Sequence, residues 1–401
     1  MIEITSHRQG AILNRHHGTE SAKSLKITVQ GISESGHPVK VNGVPAQMDG
    51  RNFSAEVELT KKVNPVTASV MTPYGIYSQE LELVWDKQSF RRFNCFIDDH
   101  SFVFTELTRQ RPKHAFNHFY LAGLKKIHEE TGFKLTLNTF YRNDHDKNGF
   151  LLKEMPDIWK SEFEENSDWL KISFHSYSEF PDRPYLESTA EEFGHDYDLV
   201  KNEIIRFAGE NTFIPPIVLH WGNIHPAAAA ELIRRGSRCY SKGFRPRVMG
   251  GPSLAERQKG GDMAKVQNRS LSGEDKQAPT DGLKMHYGFQ EETEYQEKYH
   301  AFYDPSLDFL FYRGTICCNL VPLAEIPKRF EAIMKDVEAR GIDALSFASH
   351  EQYTFPSYPN YLPDHMERIA LTARLYAEND FKPVFFNDGL LGNMSWENQP
   401  E

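Results

Sequence analysis

The run Phe93-Asn94-Cys95-Phe96-Ile97-Asp98-Asp99-His100 begins as an apolar segment and ends in three ionisable residues. Three later apolar runs also end in ionisable residues, at His175, at His220-Trp221 and at His350-Glu351. Four such ends are hard to explain by packing, because charged groups lose solvation wherever a strand is buried. In parallel βα folds the carboxyl ends of the strands carry the chemistry, so these residues form the first candidate site.

The chain around this run alternates between short buried runs and long amphipathic segments. The strand-like runs lie at 93–97, 134–140, 169–174, 213–219, 237–240, 309–316, 344–348 and 383–386. The helical segments lie at 115–131, 197–208, 226–235, 326–340 and 364–379. About seven or eight βα units predict an α/β fold, a distorted (β/α)7–8 barrel over residues 89–401. Residues 243–288, rich in Gly, Ser, Gln and Lys, are predicted to form a long insertion in that barrel.

Residues 1–88 have a different pattern. Runs such as Leu25-Lys26-Ile27-Thr28-Val29 and Phe53-Ser54-Ala55-Glu56-Val57-Glu58-Leu59 alternate apolar and polar residues, and Gly, Pro and Asn signals separate them. Alternation with a period of two is typical of half-buried antiparallel strands. About seven such strands predict a small all-β sandwich of immunoglobulin-like size, which we expect to be an accessory domain.

The charge and the apolar content of the chain argue against nucleic acids and membranes as partners of the protein. The 401 residues carry a formal net charge of −10, whereas a nucleic-acid binder would need a basic surface. No apolar run approaches the roughly 18 residues that span a bilayer, and the first residues lack the pattern of a secretory signal. We therefore expect a cytoplasmic protein that binds neither nucleic acid nor membrane, with its oligomeric state left open.

Asp98 and Asp99 are adjacent acidic residues at the end of a predicted buried strand. Taken singly, such a pair also fits a turn or a helix N-cap. Buried side by side, the carboxylates would repel each other unless a cation compensates them. Imidazole and carboxylate together suit borderline divalent metals, and a catalytic site needs three protein ligands and one open position. The sequence predicts a divalent metal, zinc in the first place, with nickel, cobalt or iron as alternatives.

The order of these motifs resembles the polysaccharide deacetylase superfamily, whose NodB-homology domain is a distorted (β/α) barrel. In that family an early strand ends in two aspartates, and the resemblance implies that Asp98 is the general base and Asp99 a metal ligand. A later family motif has two metal-binding histidines four residues apart. Here His175 matches the first of them, and Glu179 stands at the place of the second. The resemblance thus implies Asp99, His175 and Glu179 as the metal ligands.

Two further family motifs are matched to different degrees. The last motif ends in the histidine that serves as general acid, and His350 matches it. The Arg-x-Pro motif is matched only in part, since Ile214 stands where the arginine would be. The resemblance implies a hydrolase, a carbohydrate esterase that removes the acetyl group from an N- or O-acetylated sugar or oligosaccharide with the help of a divalent metal.

Other residues at the same strand ends are expected to bind the carbohydrate substrate. His220 offers a hydrogen bond, and Trp221 offers a ring that could stack on a sugar, although it also fits simple packing. Glu351 directly follows His350 in the chain. Tyr353 begins an aromatic, proline-rich loop at 353–361, which would contact the apolar faces of a sugar or serve as a rigid connector.

Two other classes of function stay open on the sequence. Two of the carboxylates Asp98, Asp99, Glu179 and Glu351 could act as acid and base in a glycoside hydrolase built on the same barrel. The chain could also be a non-catalytic carbohydrate-binding protein, with the sandwich as its recognition module. A bound divalent metal separates the deacetylase from both alternatives, because neither of them requires one.

Overall fold

The computed structural model describes residues 2–182, 184–185, 188–222, 224–241, 295–296, 298–305 and 307–397. The predicted insertion at residues 243–288 lies outside them. Within the described residues, no helix combines the length and the apolar character that crossing a membrane requires.

Residues 2–85 form ten strands in two five-stranded sheets. The strands are β1 (Ile2–Ile4), β2 (Ile12–Leu13), β3 (Thr19–Glu20), β4 (Leu25–Ser33), β5 (Val39–Val41), β6 (Val44–Pro45), β7 (Gln47–Asp49), β8 (Asn52–Leu59), β9 (Val63–Thr72) and β10 (Gly75–Trp85). One sheet has the order β1-β4-β8-β7 with β3 paired to β4, and the other has the order β2-β10-β9-β5-β6. Every pairing is antiparallel except the parallel contact of β2 with β10.

The alternating sequence explains why these two sheets face each other. Along β4 every second residue is buried, including Leu25, Ile27 and Val29. These side chains share one apolar core with Val66 and Leu83 of the other sheet. Burying one face of each sheet in this way is the arrangement of a β-sandwich. It has more strands than the seven predicted, because the short strands carry too few residues to show a pattern.

The remaining strands and helices alternate along residues 92–383. The strands are β11 (Arg92–His100), β12 (Leu135–Phe140), β13 (Leu170–Ser176), β14 (Cys239–Ser241), β15 (Ala301–Asp304), β16 (Phe309–Tyr312), β17 (Ile316–Cys317), β18 (Ala344–His350) and β19 (Lys382–Pro383). The helices are α1 (Phe102–Gln110), α2 (Phe119–Thr131), α3 (Lys160–Glu165), α4 (Ala190–Ala208), α5 (Pro226–Arg234), α6 (Ile326–Arg340) and α7 (His365–Glu378).

β11 is the central strand of a six-stranded parallel sheet. The order is β13-β12-β11-β18-β17, and β19 pairs with the first residues of β11. On one face of the sheet, Phe93, Cys95 and Ile97 join the core that the helices cover. On the other face, Phe96 joins a separate apolar cluster with Leu310. We call this second face, on which Phe96 lies, the inner face.

The ladders of the described residues do not close a barrel, so the fold is a mixed α/β arrangement of several sheets. A separate three-stranded sheet, β14-β16-β15, lies across the inner cluster. The strand predicted at 213–219 is wrong: this segment forms only a single bridge, between Phe213 and Ile172. Pro215 and Pro216 have no N–H group to donate, so a ladder cannot continue through them.

Arg92 connects the start of β11 to the segment just before it and to the distant C-terminal segment. The guanidinium is buried, and its Nη2 lies 3.0 Å from the equally buried Asp86 Oδ2. It also donates to the carbonyl oxygens of Leu390 and Leu391, at 3.0 and 2.6 Å. Asn393 Nδ2 donates to the second oxygen of Asp86 at 2.7 Å. The segment that enters β11 and the C-terminal segment are therefore held by one buried polar network.

Replacing this arginine should destabilise the protein strongly. Arg92→Met would leave the Asp86 carboxylate buried without its cation, and we expect the free energy of unfolding to fall by about 3–5 kcal/mol. Urea unfolding followed by circular dichroism measures it. Arg374→Met is the matched control, because Arg374 and Glu130 form a half-exposed pair at 3.5 Å whose loss should cost about 1 kcal/mol or less. Equal effects of the two substitutions would contradict the importance of the network.

Candidate metal centre

Polar residues on the inner face of the parallel sheet lie together at the carboxyl ends of its strands. Side chains of a strand alternate between its two faces, and Asp98, two residues after Phe96, follows this rule. Asn138 on β12 and His175 on β13 lie on the same face, because their neighbours Leu137 and Phe174 belong to the core under the helices. Asn138 Nδ2 donates to Asp98 Oδ1 at 2.7 Å. Asp98 is therefore held at the carboxyl end of the sheet by its neighbour strand.

Asp99 breaks the alternation. Its φ of +66° places it in the left-handed region, and the pairing of β11 with β12 is irregular between Ile97 and His100. Aspartate is among the few residues with a side chain that tolerate this conformation. A bulge of this kind redirects a side chain at the end of a strand. The carboxylate of Asp99 consequently joins Asp98 and His175 on the inner face instead of pointing into the core under the helices.

Two buried imidazole rings meet the Asp99 carboxylate, and together the three side chains form a group of possible metal ligands. Asp99 Oδ1 lies 3.2 Å from His175 Nε2 and 3.3 Å from His220 Nδ1. One ligand atom from each residue can be chosen so that all three lie within 4.8 Å of one another. Among the described residues, this is the one such group of three histidine, cysteine or acidic side chains. His220, which the sequence analysis assigned to substrate binding, thus stands at the place of a third ligand.

The donor set fits a divalent metal. Asp99 Oδ1 and His175 Nδ1 are buried atoms without a well-aligned hydrogen bond, although His175 Nδ1 lies 3.9 Å from Asp98 Oδ1. Buried polar atoms are nearly always paired, so these atoms need an explanation. One carboxylate and two imidazoles form a ligand set typical of catalytic zinc, with a fourth position left for water or substrate. Asp99, His175 and His220 could therefore hold such an ion.

Asp99 and His220 each change the pKa of the other. Burial by itself would raise the pKa of Asp99, but contacts with the His175 and His220 rings hold that pKa well below its ordinary value. Burial would also lower the pKa of His220, and the contact with Asp99 reverses this and raises it. The carboxylate thus stays ionised at the cost of attracting protons to an imidazole. A divalent cation would satisfy the same charge and displace those protons.

His350 lies opposite Asp98 in the ladder between β11 and β18. Its Nδ1 donates to Asn319 Oδ1 at 2.9 Å, and a positive charge on its ring would further lower the pKa of Asp99. The hydrogen bond to Asn319 leaves Nε2 as the nitrogen that can exchange a proton with a substrate. Sequence reasoning missed both Asn138 and Asn319, because a neutral amide carries no charge pattern. The face alternation along β12 could have indicated Asn138.

The structure places two predicted carboxylates outside the group of three donors. The Glu179 carboxylate forms an ion pair with His145 Nε2. Glu351 is fully buried and accepts hydrogen bonds at 2.7–2.8 Å from the backbone N–H groups of Ser101, which precedes α1, and of Phe102 and Val103, with which α1 begins. Burial raises the pKa of Glu351 to about 8, and the three donors act against that rise. Glu351 thus caps a helix beside the site.

Aromatic rings border the site. The Trp221 ring centroid lies 5.9 Å from that of His220, and Trp221 itself has a φ of +65°. The ring centroid of Tyr353 lies 6.2 Å from that of His350 and 5.3 Å from that of Tyr358. Both tyrosines are half-buried. The predicted substrate-binding residues Trp221 and Tyr353 therefore lie beside the candidate metal centre, next to His220 and His350 respectively.

Comparison with known proteins identifies no family for this chain. No protein-family model matches it, and no curated protein matches it. A polysaccharide deacetylase from Bacillus cereus is 11% identical, with 60% of this chain and 87% of that chain covered at a TM-score of 0.24. A candidate alpha-galactosidase from Bacteroides fragilis is 10% identical, with 98% and 79% covered at a TM-score of 0.24. Similarity at this level supports no conclusion, so function must be argued from the geometry of the chain itself.

Substitution of the clustered histidines should abolish metal binding. We expect about one Zn²⁺ or Co²⁺ per chain in the wild type, and an affinity lower by more than about 100-fold in His175→Ala and in His220→Ala, because each loses one of three ligands. Elemental analysis and chelator competition measure this. His114→Ala is the control, since His114 is half exposed and pairs with Glu162 elsewhere. Unchanged metal content in both cluster variants would contradict the site.

The metal affinity should also fall at acid pH. Histidine must lose its proton to bind a metal, and contact with Asp99 raises the pKa of His220 above 6.5. Proton competition therefore begins at a higher pH than for an ordinary imidazole and grows as the pH falls, by up to about tenfold per unit for each protonated histidine. Chelator competition across the pH range measures the slope. A pH-independent affinity would show that no histidine is a ligand.

Proposed function

We propose that this protein is a metal-dependent hydrolase of deacetylase type that removes an acyl group from a carbohydrate. The observation that carries the proposal is the buried group of Asp99, His175 and His220, with Asp98 beside it and His350 opposite. The proposal includes a deacetylase-like barrel for residues 89–401 and an accessory sandwich for residues 1–88. A divalent ion held by the three residues would supply Lewis-acid chemistry towards an acyl carbonyl.

Asp98 is the proposed general base. Its carboxylate lies at the carboxyl end of β11, and Asn138 holds one of its oxygens through the hydrogen bond at 2.7 Å. A carboxylate held in this way can take a proton from a water molecule that attacks the acyl carbon. In the family resemblance an arginine orients the base, and Ile214 stands at that place here. Asn138 supports Asp98 in its stead, which explains how the chain could do without the arginine.

His350 is the proposed general acid. Asn319 accepts the hydrogen bond of Nδ1, so the ring orientation is set and Nε2 is the nitrogen that transfers a proton. A protonated imidazole in this place can donate to the leaving amine or alkoxide of the substrate. Asp98 and His350 come from neighbouring strands and directly oppose each other in the ladder. A base and an acid on adjacent strands suit the two proton transfers of acyl hydrolysis.

A carbohydrate is the proposed substrate because of the rings near His350. The apolar faces of sugars pack on aromatic side chains, and Tyr353 and Tyr358 offer half-buried rings beside the proposed acid. Their hydroxyl groups add hydrogen-bonding capacity for the hydroxyls of a sugar. The Glu351 carboxylate caps α1, and the Glu179 carboxylate pairs with His145. Because both carboxylates already have these partners, acyl hydrolysis is favoured over a glycoside hydrolysis that would use them as acid and base.

Asp98→Asn tests the proposed base. The variant should retain its metal, because Asp98 is not one of the three ligands, and kcat for acetate release should fall by about 100-fold to 10,000-fold. Acetate released from a panel of N- and O-acetylated oligosaccharides is measured with the metal-loaded protein. Asp388→Asn is the matched control. Asp388 lies near Lys134 and Lys171, which are at the amino ends of β12 and β13, away from the candidate site. Release of reducing sugar without acetate would instead identify a glycoside hydrolase.

A further inference from the structure

The loop that follows β12 holds the segment that follows β13. His145 Nε2 pairs with the carboxylate of Glu179, and Asp144 Oδ2 accepts a hydrogen bond from the backbone N–H of Phe180 at 2.9 Å. Arg142 Nε in turn lies 2.6 Å from Asp144 Oδ1. Two neighbouring residues of one loop thus bind two neighbouring residues of the other, one through a side chain and one through the main chain.

This segment determines the ring orientation of His220. The main-chain carbonyl of Glu179 accepts a hydrogen bond from His220 Nε2 at 2.9 Å. A carbonyl oxygen can only accept, so Nε2 keeps its proton in the neutral ring. Nδ1, which faces Asp99, is then the nitrogen that can bind a metal once the proton attracted by Asp99 is lost. Fixing the tautomer in this way is what outer hydrogen bonds do for histidine ligands of metals.

The loop itself is anchored to α1. Asn143 Nδ2 donates to Thr105 Oγ1 at 2.9 Å, and Arg109 Nη2 contacts both oxygens of Asp146 at 2.7 Å. Thr105 and Asn143 are both buried, so their contact is protected from water. A continuous series of contacts therefore runs from α1 through the loop to the carbonyl that holds His220.

We propose that His145 is a positioning residue of the metal centre, which holds Glu179 so that the main-chain carbonyl of Glu179 keeps the His220 ring ready to bind the metal. The inference rests on the proposed function, since it concerns the same metal. It also gives Glu179 a role different from the one that the family resemblance implies. Glu179 acts through its carbonyl, and its carboxylate serves to pair with His145.

The first measurement concerns the tautomer and needs no metal. In the metal-free wild type, long-range ¹H–¹⁵N spectra of ¹⁵N-histidine-labelled protein at alkaline pH should show His220 with its proton on Nε2, and His220→Ala assigns the signal. His145→Phe should lose this single tautomer, because the Glu179 carbonyl is no longer held. His114→Phe, which removes the histidine of another His–Glu pair, should retain it. An Nδ1–H tautomer in the wild type, or an unchanged signal in His145→Phe, would overturn the proposal.

The second measurement concerns metal affinity. His145→Phe should bind Co²⁺ about 10-fold to 100-fold more weakly than the wild type, because releasing Glu179 would remove the hydrogen bond between its carbonyl and the proposed ligand His220. His145→Gln and Glu179→Gln should stay within about threefold, because each retains a donor and an acceptor for the contact. If Glu179 were itself a ligand, the pattern would reverse: Glu179→Gln would lose the metal and His145→Phe would not. That reversed pattern would overturn the proposal.

Failure of the proposed function gives a different result. A wild type that binds no Co²⁺ would overturn the metal centre, while the tautomer spectra, recorded without metal, would still decide whether His145 positions His220. Circular dichroism and the thermal midpoint establish that each variant is folded. If His145→Phe does not fold, Glu179→Ala removes the same contact from the other side, and the same change of the His220 tautomer is expected.

Discussion

The burial of the Asp99 carboxylate is the constraint on which the site depends. An ionised carboxyl group removed from water is unstable unless positive charge or several hydrogen bonds surround it. Around Asp99 Oδ1 the protein supplies two imidazole nitrogens, at 3.2 and 3.3 Å, without the alignment of full hydrogen bonds. Such an arrangement is incomplete without a proton or a cation. The proposal of a metal centre rests on this incompleteness and not on likeness to other proteins.

The parallel sheet places the other residues of the site around Asp99. Adjacent strands lie about 4.8 Å apart, so inner-face residues at the ends of β11, β12, β13 and β18 come within contact of one another. Asp98, Asn138, His175 and His350 reach the site by ordinary alternation along their strands. Asp99 reaches it only because its left-handed backbone adds a second carboxylate on the same side. Glu351 supports this edge by capping α1, which begins directly after β11.

Glu179 and His220 show where reasoning from spacing reaches its limit. The spacing of four residues between His175 and Glu179 would put both on one side of a helical turn. The chain instead continues as β13 to Ser176 and then turns, which carries the Glu179 side chain to His145. His220 lies beside Asp99 and His175 and comes from a segment that Pro215 and Pro216 keep out of the sheet. The amides Asn138 and Asn319 escaped notice because they bear no charge.

The sequence by itself determined the alternation of strands and helices, the separate pattern of residues 1–88, and the strand ends that carry Asp98, Asp99, His175 and His350. These properties are local, since a strand's faces and its end depend on residues a few positions apart. Only the tertiary structure decided that His220 lies beside Asp99 and His175, that Glu179 holds it through a carbonyl, and that the ladders between residues 92 and 383, as far as they are described, do not close into a barrel. Those outcomes depend on contacts between residues that are far apart in the sequence. Turns and prolines determine where the segments carrying these residues lie, and a local sequence pattern does not show this.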